Sequence, residues 1–176
     1  SGLKTNLNIQ NWVSKKNVVK EYCDLSKILD SMRRRKSEGE INIMQKSANI
    51  AAQAHIHAMR ITKPGKYEYQ IEGEILNQFM QNGARYPAYS SIVASGNNAC
   101  TLHYVENKSI LKDGDLLLID AGCELESYAS DITRTYPING KFSSAQKDIY
   151  QVVLNAQKEA INKVIPGNYF DAPHNA

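Results

Sequence analysis

Hydrophobic positions along this chain follow a helical period up to about residue 82, then shift to a strand-like period, then return to a helical one. Leu25, Ile28, Leu29 and Met32 predict a short helix over residues 24–35. A long helix is expected from Ser37, which stands three residues before Glu40 as in a capping box. Its stripe runs through Ile41, Met44, Ala48, Ala51 and Ala58, and the alanines let another element approach closely. His55 falls on this stripe, where a lone histidine reads as a hydrogen-bonded core residue in preference to a ligand. Pro64-Gly65 stops the helix. Ile71, Ile75, Leu76, Phe79 and Met80 mark a second long helix over 68–82, and Gly83 suits the left-handed position after its end.

The middle of the chain reads as strands. Residues 91–94 and 101–105 are short candidates, separated by Gly96-Asn97-Asn98. Lys112-Asp113-Gly114 is a turn. Leu116 to Ile119 is an unbroken apolar run, so a strand covered on both faces is expected. Residues 128–136 alternate, with Asp131, Thr133 and Thr135 on one side and Ile132, Arg134 and Tyr136 on the other. After the turn Asn139-Gly140, Ser143 caps a third long helix. Ile149, Val152, Val153, Ala156, Ala160 and Val164 are its expected buried stripe, and Pro166-Gly167 its end. Helices, then strands, then a helix give an α+β fold with an antiparallel-leaning sheet covered by long helices. Residues 1–23 are weakly patterned and read as a linker or the tail of a preceding lobe. Residues 24–176 read as the folded domain.

Composition narrows the function classes. The chain has 176 residues, 21 Lys+Arg and 18 Asp+Glu, a formal net charge of +3. That near-balance excludes a dedicated nucleic-acid binder. The densest basic run, Arg33-Arg34-Arg35-Lys36, reads as a solvated helix face. No apolar run approaches the roughly 20 residues of a membrane helix, and the first residues lack the apolar core of a signal peptide. Cys23, Cys100 and Cys123 are widely spaced, and no C-x-x-C is present. A zinc ribbon or redox motif is excluded, and buried reduced thiols in a cytoplasmic compartment are expected. No G-x-S-x-G, P-loop or G-x-G-x-x-G occurs.

The chemistry concentrates in Asp115–Tyr136, DLLLIDAGCELESYASDITRTY. Asp120 ends an apolar strand, and a buried carboxylate calls for a partner or a metal. A hairpin turning at Leu125-Glu126 sets Asp120 opposite Asp131, with Cβ atoms about 5 Å apart. Two such carboxylates share a proton or hold a cation. All-oxygen ligation suits Mg, Mn or Ca, and an added imidazole widens the range to Co, Zn or Fe. The competing reading is a bulge at Gly122 that shifts the register and leaves Asp120 capping a turn. His103, in Thr101-Leu102-His103-Tyr104, is either a histidine bonded to backbone or a group that binds a substrate carbonyl or developing oxyanion. Tyr89, after Pro87-Ala88, is open in the same way.

Several long motifs in one order carry a resemblance: RRRKSEGEI, ARYPAYSSIVASGNNACTLHYVEN, KDGDLLLIDAGCE and YASDITRTYPINGKFSSAQKDIY. From about Asp24 to Gly167 the chain resembles the pita-bread metallopeptidase family, in its Xaa-Pro aminopeptidase (aminopeptidase P) branch. The resemblance implies the first half of a pita-bread fold. It also implies an enzyme that releases the N-terminal residue from peptides with proline in second position, using two divalent ions, usually Mn2+. The ligands it implies are two aspartates, matched by Asp120 and Asp131, with one histidine and two glutamates whose places lie beyond the third long helix. His174 comes too early for the histidine ligand and is not assigned. His103 matches the substrate-contacting, catalytic histidine, and Tyr89 the pocket tyrosine. A homo-oligomer is implied for the full-length protein. On this reading the present chain is part of a longer one, with an incomplete site, no peptidase activity of its own, and an exposed sheet edge and apolar face. The alternatives are a non-catalytic peptide- or protein-binding pita-bread module, which has no use for the aspartate pair, and a prolidase acting on dipeptides.

Overall fold

A computed structural model describes residues 11–12 and 24–176. Most of the expectations for residues 1–23, Cys23 included, lie outside the described residues. The chain divides into two compact units, residues 1–39 and 40–176. In the first, helix α1 (Ser26–Arg34) has no buried residue. Arg33 and Arg34 sit in its last turn, where positive charge complements the helix dipole.

Helix α2 (Glu38–Ile61) starts one residue after Ser37 and stops three residues before Pro64. Its buried face is Ser47, Ala51, Ala54, His55 and Ala58. The stripe expected from hydrophobicity is displaced: Ile41 and Met44 are exposed, and small residues make the contact. Helix α3 (Glu68–Gln81) buries Ile71, Ile75 and Phe79 as expected, while Met80 is exposed. Gly83 follows it with φ +92°, a left-handed conformation that a side chain would strain.

Six strands follow: β1 (Tyr86–Pro87), β2 (Ile92–Ser95), β3 (Leu116–Asp120), β4 (Cys123–Leu125), β5 (Tyr128–Ala129) and β6 (Thr133–Pro137). They make two antiparallel sheets, ordered β2-β3-β6 and β1-β4-β5. In β3, Leu117 and Ile119 are fully buried, whereas Leu116, Leu118 and Asp120 are half-buried. The apolar run is therefore packed fully on one face only. Residues 101–105 are not a strand. A short 3-10 helix (Gly96–Cys100) leads into an irregular loop there, in which His103 has φ +56°.

The expected single strand 128–136 is broken between β5 and β6, so Asp131 lies outside regular structure. Its register also differs from expectation. Leu125 pairs with Tyr128, and Glu126 and Ser127 both have positive φ, which makes a two-residue turn of the primed type. Asp120 thus pairs with Thr133. The hydrogen bonds from Ala121 N to Ile132 O (3.1 Å) and Ser130 N to Cys123 O (2.9 Å) carry the same register between the two sheets. Gly122 then stands opposite Asp131. The offset from the expected pairing is two residues, so both aspartates stay on one face.

Helix α4 (Ser144–Asn162) is capped as expected: Ser143 Oγ accepts from Gln146 N, and Ser143 N donates to Gln146 Oε1. It ends four residues before Pro166. Its apolar stripe is not buried. Ile149, Val152, Val153 and Val164 are all exposed, and Ile149 and Val153 line an open cleft against Leu116, Thr133 and Thr135. The periodicity correctly marks an amphipathic helix, but among the described residues nothing covers that stripe. Cys123 is buried and Cys100 exposed, and both are free thiols. No helix among the described residues is long and apolar enough to cross a membrane.

Candidate metal centre

The face of β3 that carries Asp120 also carries the candidate chemistry. Helix α2 sets its position from behind. Ser47, Ala51 and His55 recur every four residues and so share one side of the helix. Ser47 Oγ donates to Cys123 O at 3.0 Å, and His55 Nε2 donates to Ala121 O at 3.0 Å. Burial holds the His55 imidazole below its ordinary pKa, so it is the neutral Nε2–H tautomer. Among the described residues its Nδ1 has no hydrogen-bond partner. The histidine on the helical stripe is thus a core residue, and its bond fixes the chain immediately after Asp120.

Tyr89 joins the two carboxylates. Its hydroxyl lies 2.5 Å from Asp120 Oδ1 and 2.9 Å from Asp131 Oδ1. A phenol has one proton, so the two acceptors compete for it. Burial and the two carboxylates push the Tyr89 hydroxyl far above its ordinary pKa, so it is a donor at any physiological pH. The hydrogen bond from Ala88 N to Gly122 O, 2.9 Å, ties the residue before Tyr89 to the glycine opposite Asp131. Asp120, Asp131, Tyr89 and His103 line one cavity of about 360 Å³ with Ser90, Ile92 and Val105. The structure therefore brings all four sequence-predicted residues together.

That cavity contains no lysine or arginine among its lining residues. Two converging carboxylates with no lysine or arginine in their cavity fit a hard divalent cation, which would supply the counter-charge that a neutral phenol cannot. Among the described residues no group of three or more His, Cys, Asp or Glu side chains could hold a metal. The donor set fits a divalent ion in kind and is short in number.

Sequence reasoning missed Glu68. Its side chain is fully buried at the start of α3. Oε1 accepts from Ser95 N, Ser95 Oγ and Asn98 Nδ2 at 2.7–3.0 Å, and Oε2 accepts from Tyr104 Oη at 2.8 Å and Ser109 N at 2.9 Å. Asn107 makes a second anchor, accepting from Val93 N and donating to Ser91 O, both at 2.9 Å. The only available signal was a glutamate at the first helical position, which alone reads as a dipole-compensating surface residue.

Burial raises the Glu68 pKa, but the hydrogen bonds outweigh it, and the carboxyl lies below its ordinary value of 4.5. A depressed acid stabilises the folded state fully above the unfolded value and loses that contribution as pH falls through the native one. Thermal unfolding followed from pH 7 to pH 3 is therefore expected to show Tm falling below about pH 4.5. A Glu68→Gln variant should start lower and show a shallower acid decline. An equal acid decline in both would remove Glu68 from the explanation.

Comparison with known proteins places the chain in a family. Residues 42–176 match the family model described as metallopeptidase family M24. The Xaa-Pro aminopeptidase of Haemophilus influenzae is 55% identical over 148 residues, covering 84% of this chain and 34% of that protein. Among solved structures, Pseudomonas aeruginosa aminopeptidase PepP superposes with a TM-score of 0.88 at 43% identity, covering 98% of this chain and 41% of that one. Zinc-substituted E. coli aminopeptidase P in complex with product gives a TM-score of 0.80 at 46% identity, covering 85% and 34%. The chain thus spans about a third of the length of the curated relatives it matches.

Proposed function

This chain belongs to metallopeptidase family M24, and we propose that the complete protein is a metal-dependent aminopeptidase that releases the residue preceding a proline in second position. The observation that carries this reading is the convergence of Asp120 and Asp131 on one Tyr89 hydroxyl, beside His103. A module that only binds peptides has no use for two converging carboxylates with no lysine or arginine in their cavity. The name of the Haemophilus relative supports the proline preference. Manganese as the ion, a cytoplasmic location and homo-oligomeric assembly belong to the same proposal.

Asp120 and Asp131 are assigned to hold the divalent ions, together with ligands from other parts of the protein. The chemistry supplied by such ions is Lewis-acid polarisation of the scissile carbonyl and a water made acidic enough to attack it near neutral pH. The chain's own residues do the positioning. Tyr89 orients both carboxylates through its hydroxyl. Asp120 is held by the β3 register and the anchored backbone behind it. His103 is exposed at the cavity rim and donates a hydrogen bond to the substrate carbonyl or to the oxyanion that develops from it.

His103→Ala in the complete protein is expected to lower kcat/KM about 100-fold or more, in the range of a lost oxyanion donor. Metal content should stay at the wild-type level. Cleavage of Arg-Pro-Pro measured alongside metal analysis tests this assignment. Loss of metal, or unchanged turnover, would overturn it.

A further inference from the structure

The loop that presents His103 has almost no backbone support. Among the described residues, the only backbone–backbone hydrogen bonds between Gly96 and Ser109 outside the 3-10 helix are Thr101 N to Asn98 O and the closing bond from Glu68 N to Ser109 O. His103 sits there at φ +56°, a left-handed conformation that non-glycine residues rarely hold without outside support. The next residue supplies that support. Tyr104 Oη donates to Glu68 Oε2 at 2.8 Å and accepts from Asn98 Nδ2 at 3.1 Å, and the same carboxylate grips both ends of the loop through Ser95 and Ser109.

We infer that the buried Glu68 and the half-buried Tyr104 form a clamp that acts as a positioning pair for His103, holding its strained backbone so that the imidazole meets the substrate carbonyl. The inference rests on the reading of His103 given above. A carboxylate is required at position 68, because five donors converge on its two oxygens. A glutamine there has one acceptor oxygen and turns an amide N–H toward other donors. The tyrosine hydroxyl is the one link from this hub to the residue beside His103. Misplacing a catalytic group by about 1 Å costs on the order of 100-fold in rate, so a loosened clamp should be visible in turnover without touching the metal ligands.

The test is a double-mutant cycle in the complete, manganese-loaded protein: Tyr104→Phe, His103→Ala and both together, with kcat, KM and metal content measured on Arg-Pro-Pro. Tyr104→Phe keeps the ring and its packing and removes only the hydroxyl. It should lower kcat roughly 10-fold or more at unchanged metal content, while adding nothing further to the loss already caused by His103→Ala. Glu68→Gln should repeat that non-additive pattern, and if it fails to fold, Tyr104→Phe decides alone. Independent losses that multiply in the double variant would show a merely structural clamp and overturn the inference, as would wild-type kcat in Tyr104→Phe. His103→Ala with wild-type turnover would overturn the functional reading itself, a distinct result, and the clamp's role with it.

Discussion

Gly122→Ala is expected to unfold the hairpin that carries both aspartates. A Cβ at this position would sit 1.7 Å from Ser130 O and 2.5 Å from Ser130 C. Both are backbone atoms, so no side chain can rotate away. Relief demands that the strands part by well over 1 Å, and the surrounding bonds oppose it: Ala88 N to Gly122 O, Ser130 N to Cys123 O and Ala121 N to Ile132 O. Three lost hydrogen bonds at about 1 kcal/mol each, with overpacking of about 1–3 kcal/mol, give a destabilisation of about 4–6 kcal/mol. That is a large share of the roughly 5–15 kcal/mol that holds a typical domain. Urea denaturation of the two proteins measures it directly. A change below about 1 kcal/mol, well under this sum of bonds and packing, would mean that the close approach of residues 122 and 130 does not exist in solution. If the variant does fold, Asp131 is displaced from Tyr89, and activity should be lost even where structure remains.

The same glycine explains what could and could not be read from the sequence. The alternation of residues 128–136 places Asp131 on the same side as Thr133, and that parity survives in the structure. The register does not, because the turn is built from Glu126 and Ser127, both at positive φ, with Ser127 N bonded to Glu124 Oε1 at 2.6 Å. Primed turns usually announce themselves by glycine or asparagine, and neither occurs here. The weighed alternative of a bulge at Gly122 fails: one register runs unbroken through that residue, the two-residue shift comes from the turn, and Asp120 keeps its face. Helix positions were legible because their apolar periods are long. The burial of those periods was less so. The exposed stripe of α4 and the exposed Ile41 and Met44 of α2 show that amphipathicity states what a helix can bury without naming its partner. Glu68 was illegible for a different reason. A buried carboxylate is set by donors more than 25 residues away, and no local pattern records them.

Asp131→Asn is expected to remove tight divalent-metal binding and, with it, peptidase activity in the complete protein. The substitution preserves shape, and the amide oxygen can still accept from the Tyr89 hydroxyl, so the hairpin has no steric reason to change. What changes is charge. An ion that gains two anionic oxygens from Asp120 and Asp131 would gain one, and a neutral amide is a weaker donor for a hard cation. Loss of an outer-shell partner already costs about 10- to 100-fold in metal affinity, so loss of a direct carboxylate should exceed that. The metal-free protein should respond in the opposite direction. Two carboxylates that compete for one phenol proton repel each other, and removing one charge should leave Tm unchanged or slightly higher in the presence of EDTA. Binding of Mn2+ by calorimetry, together with melting curves with and without EDTA, separates the two effects. Metal stabilises whichever state binds it, by an amount that grows with concentration over Kd, so wild type should gain Tm on loading and Asp131→Asn should not. A variant that still gains Tm with Mn2+ and still cleaves its peptide would remove Asp131 from the metal centre.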